Sequence, residues 1–363
     1  MSSALLNLPL VLEADYVAWL GEQRQQTDSL HFPLPSPLRL DHRVQPPAGT
    51  MAELLAALHT LPGPRRYALL NSGWLSPELL SDSGLSRELI GTLEQLHDEG
   101  GLNGIVFGNG YLLQHLADRA PRLAALLEAV PGVNLRLDSP GRILSLLASV
   151  ERTGFRRPAR ITLDRELNRD LPRLAEVVSG CRDAFPGLRL ELLANEGCLP
   201  HCLCKAAHDG CIDMINAGLA PEHSEPLNRE LGCIRAFGHE PWRLLTSPWI
   251  RPEDQHHYLT LVDGFKICGR TLGGAFLRRV ATAFQTGRYD GNLLDLLDTP
   301  SWLAQRLYLD HRALPADFLQ HSGSCRHDCS ACGYCPALFQ RIARPLSPRL
   351  PDLRRIDSAG RSR

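Results

Sequence analysis

Between residues 65 and 198 the chain repeats one pattern: a short apolar run ending in polar residues or glycine, then a longer amphipathic run. RRYALLNSG (65–73), LNGIVFGN (102–109), VNLRLDS (133–139), ARITLDREL (159–167) and LRLELLANEGC (188–198) read as strands. Between them, SRELIGTLEQLHDEGG (86–101), YLLQHLADRAPRLAALLEAV (111–130, broken at Pro121), RILSLLASVERTG (142–154) and LPRLAEVVSGCRDAFPG (171–187) carry helical periodicity. Parallel strands need a crossover and a helix supplies it, so the alternation specifies an α/β fold with a parallel sheet. Units of about 25–30 residues suit a closed (β/α) TIM-like barrel better than a doubly wound open sheet. After a loop-rich stretch at 198–240 the pattern resumes in FKICGRT (265–271) and AFLRRVATAF (275–284). The expected organisation is a barrel over 1–298, a cysteine-rich extension over 299–345, and a proline- and arginine-rich end over 346–363 of the kind that stays disordered.

Several function classes lose support at once. Neither GxGxxG nor GxxxxGK(S/T) occurs, so no phosphate loop is present for a dinucleotide or ATP. Charge is balanced, 39 Lys and Arg against 40 Asp and Glu, so no global basic field favours nucleic acid. No apolar run is long enough to cross a bilayer. The opening MSSALLNLPLVLEADY lacks the basic segment of a signal peptide, so a cytoplasmic location is expected.

Barrel enzymes place their chemistry at the carboxyl ends of the strands. Asn71 and Ser72, Asn109, Asp138 and Ser139, Asp164 with Arg165 and Glu166, and Asn195 with Glu196 fall there. The eleven cysteines add a stronger signal, because a reducing cytosol turns clustered cysteines toward metal ligation or redox chemistry. Cys181, alone in a helical run, reads as a small buried hydrophobe.

CRHDCSACGYCP sets Cys325, Cys329, Cys332 and Cys335 at C-x3-C-x2-C-x2-C. Thiolates this close in sequence converge readily on one centre, and short spacings ending in Cys-Pro favour an iron-sulfur cluster over zinc, the alternative. CRHDCSAC also spells the CxxxCxxC of radical S-adenosylmethionine enzymes, but it follows the barrel, and a fourth cysteine would fill the iron site that cofactor needs. A second group, NEGCLPHCLCKAAHDGC, starts at a strand end. Cys198 and Cys202 are its best ligand candidates and Cys233 a third; Cys204 or Cys211 could complete four, and His201 or His208 could ligate. One or two 4Fe–4S clusters are therefore expected, the barrel group catalytic and the tail group structural or electron-transferring.

These residues resemble the peptidase U32 family. ITLDREL (161–167), LLANEGC (192–198) and FKICGRT (265–271) are similar, in order and spacing, to three of its strand-end motifs, and the resemblance covers roughly residues 30–298. It implies a barrel holding an iron-sulfur cluster, in a family whose members support oxygen-independent hydroxylation of small molecules or RNA bases, or are labelled proteases. The chain departs from the pattern: the second cysteine follows the first by four residues rather than seven, SPWIRPED (247–254) has no later ligand, and Cys268 replaces a carboxylate. The reading favoured is a redox enzyme acting on a small molecule or an RNA base. Lys266 and Arg270 would bind an anionic group of that substrate, and Arg165 and Glu166 would pair near the mouth. Two alternatives stand beside it: a peptidase, for which HExxH and GxSxG are both lacking, and a non-catalytic electron-transfer or scaffold subunit that works with a partner barrel protein or electron donor.

Overall fold

A computed structural model describes residues 4–43, 49–81, 83–221, 225–325 and 328–346. Eight parallel strands order its larger part: β1 (Leu5–Pro9), β2 (Thr27–Pro33), β3 (Arg65–Leu70), β4 (Gly104–Phe107), β5 (Glu128–Pro131), β6 (Arg160–Leu163), β7 (Arg189–Leu193) and β8 (Gly264–Lys266). They run in the order β5-β4-β3-β2-β1-β8-β7-β6, with β1 pairing in parallel with both β2 and β8. The two outer strands meet just ahead of β6, where Arg156 donates to the Leu127 carbonyl (3.0 Å) and Ala129 donates to Arg156 (3.2 Å). The result is a nearly closed barrel with helices around it.

Side-chain alternation explains how these strands can close. Leu6, Leu8, Leu30, Phe32, Ala68, Leu70, Ile161, Leu163, Leu190 and Leu192 point outward into the layer shared with the helices, all fully or almost fully buried. Burying one such leucine stabilises by about 1.5–3 kcal/mol. The helices present matching apolar stripes, for example Leu89, Leu93 and Leu96 on Gly84–Asp98. Their starts are fixed by side-chain caps: Thr50 and Glu53 form a reciprocal capping box, and Asn109 accepts from the Tyr111 and Leu112 amides. Gly264 is required in β8, since a Cβ there would stand 2.3 Å from the Leu5 carbonyl oxygen across the β1 pairing.

The inward set divides the interior. Tyr67, Leu69, Val106 and Val130 form an apolar half. Opposite them, Asn7, Ser29, His31, Arg160, Thr162 and Glu191 are buried and polar. At the seam between β5 and β6, the buried Glu128 carboxylate accepts from Arg65, from Tyr67 Oη (2.9 Å) and from the Ala159 amide (3.0 Å).

The elements depart from the sequence reading in three places. The expected strand VNLRLDS is a short 3-10 turn, Val133–Leu135, followed by Arg136 at φ 54°; the strand instead occupies Glu128–Pro131, at the end of what reads as helix. Glu128 opens that strand with a charge whose seam partners lie far away in sequence, so local patterning does not show it. Residues 198–240 contain helices Lys205–Asn216, Glu225–Glu230 and Cys233–His239. β1 and β2 precede the stretch where the alternation is plain. The expected disordered end lies, except for Leu346, outside the described residues.

A second core gathers Phe237, Leu244, Leu245 and Trp249 with Leu293, Leu294, Leu297, Leu309, Phe318, Leu338 and Ile342. It carries a small antiparallel pair, β9 (Leu307–Leu309) with β10 (Ala343–Pro345). Arg169, from the loop after β6, enters it: its guanidinium stands 5.0 Å from the ring centroids of both Trp249 and Phe318 and donates to the Ser247 carbonyl (2.9 Å) and Ser322 Oγ (3.0 Å).

Replacing Glu128 by Ala should leave a buried guanidinium edge, a phenol and an amide without their acceptor. We expect a loss of about 3 kcal/mol, the scale for breaking a buried ion pair, in urea unfolding. Tyr67→Phe, which removes one bond only, should cost about 1 kcal/mol.

Candidate functional site

The carboxyl ends of the strands open onto a mouth lined by His31, Asn71, Asn134, Lys266, Arg270 and neighbours, over a floor of Leu69, Val106 and Leu193. Most cations here are committed. Arg43 pairs with Asp298 (2.8 Å), Arg270 with Asp41, and Arg165 with Glu196, while Lys205 Nζ donates to Asp209 and to Asn134 Oδ1 (3.0 Å). Burial brings the Arg270 pKa down to about 10. Lys266 is different: it is 8% exposed, and its Nζ makes no hydrogen bond among the described residues. Burial lowers its pKa too.

Of the four residues expected to handle substrate, Lys266 and Arg270 line the inner mouth, and Arg165 and Glu166 line an adjoining cleft of about 400 Å³. Arg165 and Glu166 do not pair with each other. Arg165 holds Glu196, and Glu166 Oε1 accepts from the His201 amide (2.8 Å). His201 has φ 49°, a left-handed conformation that a non-glycine residue adopts only when held there. Glu166 thus shapes the loop between Cys198 and Cys202. Among the other strand-end polar residues, Asn195 ties β7 to β8, donating to the Cys268 and Leu296 carbonyls and accepting from the Cys268 amide.

Helix Lys205–Asn216 lies across the mouth and is tied down by a residue that sequence reasoning missed. His42 Nδ1 is 3.0 Å from Asp213 and Nε2 is 2.9 Å from Asp209. Asp213 also accepts from Ser72 Oγ (2.7 Å) and from the Gly73 and Trp74 amides. Burial pulls the His42 pKa down, but the hydrogen bonds and charges of the two carboxylates outweigh it, so the net shift is upward. Asp209 sits at about 2: burial raises it, and His42 and Lys205 more than compensate.

The cysteines of the middle group do come together. Cys198, Cys202, Cys204 and Cys233 all line one cavity of about 280 Å³, with Arg43, His208 and Asp298 also on its wall. Cys198 Sγ is 3.6 Å from Thr299 Oγ1. Burial, then the neighbouring Cys202 thiol, pushes the Cys233 pKa up. Cys211 is on neither this cavity's wall nor that of the adjoining cleft. In the tail, Cys325, Cys332 and Cys335 line a cavity of about 380 Å³ together with Arg169 and Tyr334. Burial, and then Cys325, Cys329 and Cys332, push the Cys335 pKa up to about 12. Cys181 is wholly buried in the barrel core. Among the described residues the cysteines form no disulfide with one another. Among the described residues, no three His, Cys, Asp or Glu side chains converge tightly enough to hold a single ion. No helix among the described residues is long and apolar enough to cross a membrane.

The His42 clamp has a pH signature. A histidine whose folded-state pKa is raised contributes stability that is complete below its unfolded value, about 6.5, and is lost as pH rises through the folded value. Imidazole NMR titration should give His42 an apparent pKa above 6.5. Exchange protection of helix Lys205–Asn216 should fall across the same step, and His42→Phe should abolish that pH dependence.

No family model matches the chain. Over 181 residues, half of this chain, it is 34% identical to a protein of Methanocaldococcus jannaschii named as an uncharacterized protease. The chain covers 52% of that relative, about half its length. A solved structure of a U32 peptidase is similar with a TM-score of 0.49 and 18% identity, over 74% of this chain and 93% of that one. ITLDREL, LLANEGC and FKICGRT, which carry the resemblance to the peptidase U32 family, stand at the ends of the successive strands β6, β7 and β8.

Proposed function

We propose that this protein is an iron-sulfur enzyme whose barrel mouth carries out a redox modification, of the oxygen-independent hydroxylation type, on a small molecule or RNA base. The observation that carries the reading is the set of four free thiols, Cys198, Cys202, Cys204 and Cys233, around one cavity beside the strand ends. The donor set fits a cluster better than zinc. In a cubane each thiolate binds its own iron, so the ligands stand around a volume; a zinc ion needs its donors converged on a point. When bound, a cluster supplies one-electron or Lewis-acid chemistry. The chain's own residues do the rest: Glu166 holds the ligand loop, Lys205 and Arg43 bring positive charge to the thiols' side of the mouth, and Lys266 faces the substrate. The tail thiols Cys325, Cys329, Cys332 and Cys335, docked through Arg169, suit a second cluster that passes electrons from a donor or partner protein.

Proteolysis is the second reading, on the name of the archaeal relative alone. A cysteine nucleophile needs an imidazole at hydrogen-bond distance. The hydrogen bonds described for Cys198 and Cys268 go to Thr299 and Asn195 instead.

Anaerobically purified protein should contain about eight iron and eight acid-labile sulfide per chain, as two cubanes require. Cys198→Ala and Cys332→Ala should each remove about half, independently. Stoichiometric zinc without iron would sink the redox reading. Anaerobic cleavage of a casein substrate that is lost in Cys198→Ala would replace it with the peptidase.

A further inference from the structure

The buried polar half of the barrel interior fixes the protonation of a residue that the cluster reading does not use. Glu191 Oε1 accepts from Thr162 Oγ1 and from Asn7 Nδ2, both at 2.7 Å. A carboxylate oxygen accepts, so Asn7 must turn its NH2 toward Glu191 and its carbonyl oxygen away. That oxygen, Oδ1, lies 2.8 Å from His31 Nδ1. It too can only accept, so His31 carries its proton on Nδ1, and Nε2 is left as a bare lone pair. Nε2 has no partner among the described residues, and His31 lines the inner mouth.

Lys266 lines the same cavity. It is the last residue of β8, His31 lies within β2, and both strands flank β1, which supplies Asn7. The two side chains are 4% and 8% exposed. Burying an ammonium without a counter-charge is costly, and the neighbouring cations Arg43, Arg165, Lys205 and Arg270 already hold the nearby carboxylates. The cavity is small, about 70 Å³, space for about two water molecules. It shares Asn134 and Lys205 with the adjoining cleft of about 400 Å³ that leads outward.

We propose that the inner mouth binds a small acid bearing a hydroxyl next to its carboxylate, Lys266 holding the carboxylate and His31 Nε2 accepting the hydrogen bond of the hydroxyl. The inference rests on the reading of the mouth as the reactive centre but not on the identity of any cluster. No covalent bond changes on binding: the hydroxyl keeps its proton and shares it with the Nε2 lone pair, while Nδ1–H stays on Asn7 Oδ1. Burial and then the cations Lys266, Arg270 and Arg160 lower the His31 pKa well below its ordinary value, which keeps the imidazole neutral. A bound carboxylate cancels the nearest of these charges, so the base strengthens when the substrate is in place.

The test uses the full chain labelled with 15N-histidine and glycolate as probe. Without ligand at neutral pH, His31 should show the neutral Nδ1–H tautomer. Glycolate should shift its Nε2 resonance saturably and raise its apparent pKa; acetate, which lacks the hydroxyl, should move Nε2 less. Lys266→Met should weaken glycolate binding at least about tenfold, or about 1.4 kcal/mol, with iron content unchanged and the other histidine signals in place to show folding. If that variant does not fold, Lys266→Gln and the wild-type tautomer still decide. An Nε2–H tautomer, or no His31 response at about 50 mM glycolate, well beyond a millimolar Kd, would overturn the proposal. Failure of the cluster reading shows separately, as a glycolate response in protein without iron.

Discussion

The Glu191 carboxylate is the interaction on which the rest of the structure turns. A barrel of eight short strands leaves an interior that must be filled, and here half of it is filled with polar groups. A charge placed there is tolerable only if its hydrogen bonds are made. Thr162 from β6 on one side and Asn7 from β1, reaching past β8, on the other satisfy Glu191 on β7, and Arg160 approaches to 3.8 Å. Arg160 in turn reaches Ser29 and Asp28 on β2. With Arg160, one carboxylate therefore joins four strands from two separate stretches of the chain, β1 and β2 with β6 and β7, and it sets which way Asn7 and His31 point at the mouth.

What could be read from the sequence follows from how local each signal is. β3, β4, β6 and β7 were legible because apolar runs alternate with helices whose apolar spacing and caps are local features, as in Gly84–Asp98. β5 was not, because Glu128 is explained only by Tyr67 and Ala159 across the seam. The grouping of Cys198 and Cys202 was visible from spacing, while the inclusion of Cys204 over Cys211 was not: Lys205–Asn216 is a helix, which carries Cys211 away from the cavity that Cys204 lines. His31 and Asn7 did leave a trace. Thr27, Ser29 and His31 alternate with Leu30 and Phe32, and polar residues at period two in an otherwise apolar strand mark an inward face that is not packed with hydrocarbon. His42 left none, since its partners Asp209 and Asp213 are some 170 residues away.

The barrel and the cysteine-rich tail are mechanically one object. Phe237, Leu244, Leu245 and Trp249 precede β8, yet they pack with Leu309, Phe318 and Leu338 of the tail. The same stretch of chain carries Cys233, so the segment completing the middle thiol group is held in place by the tail's own core. Arg169 makes the link direct: it leaves the loop after β6, stands beside the stacked rings of Trp249 and Phe318, and lines the tail cavity beside Cys325 and Cys335. Burial lowers its pKa, but a guanidinium remains charged at any physiological pH, so it is a fixed positive neighbour for thiolates.

Charge placement gives the two halves of the mouth different work. On the thiol side, Arg43 and Lys205 are already neutralised by Asp298 and Asp209, so their field is that of ion pairs, short in range and suited to stabilising thiolates close by without drawing in distant anions. On the strand side, Lys266 stands without a carboxylate at hydrogen-bond distance, above an apolar floor of Leu69, Val106 and Leu193. A charge in such surroundings acts strongly on whatever group enters, because little water remains to screen it. The cost of keeping that ammonium bare is sustained by the interior network beneath it, where Glu191 partly offsets the charge without contacting it. Moving Glu191 one turn of the pleat toward the mouth would close the pair and cancel the field. That the carboxylate is instead held by Asn7 and Thr162 is what leaves Lys266 without a close counter-charge at the mouth, where His31 offers its lone pair.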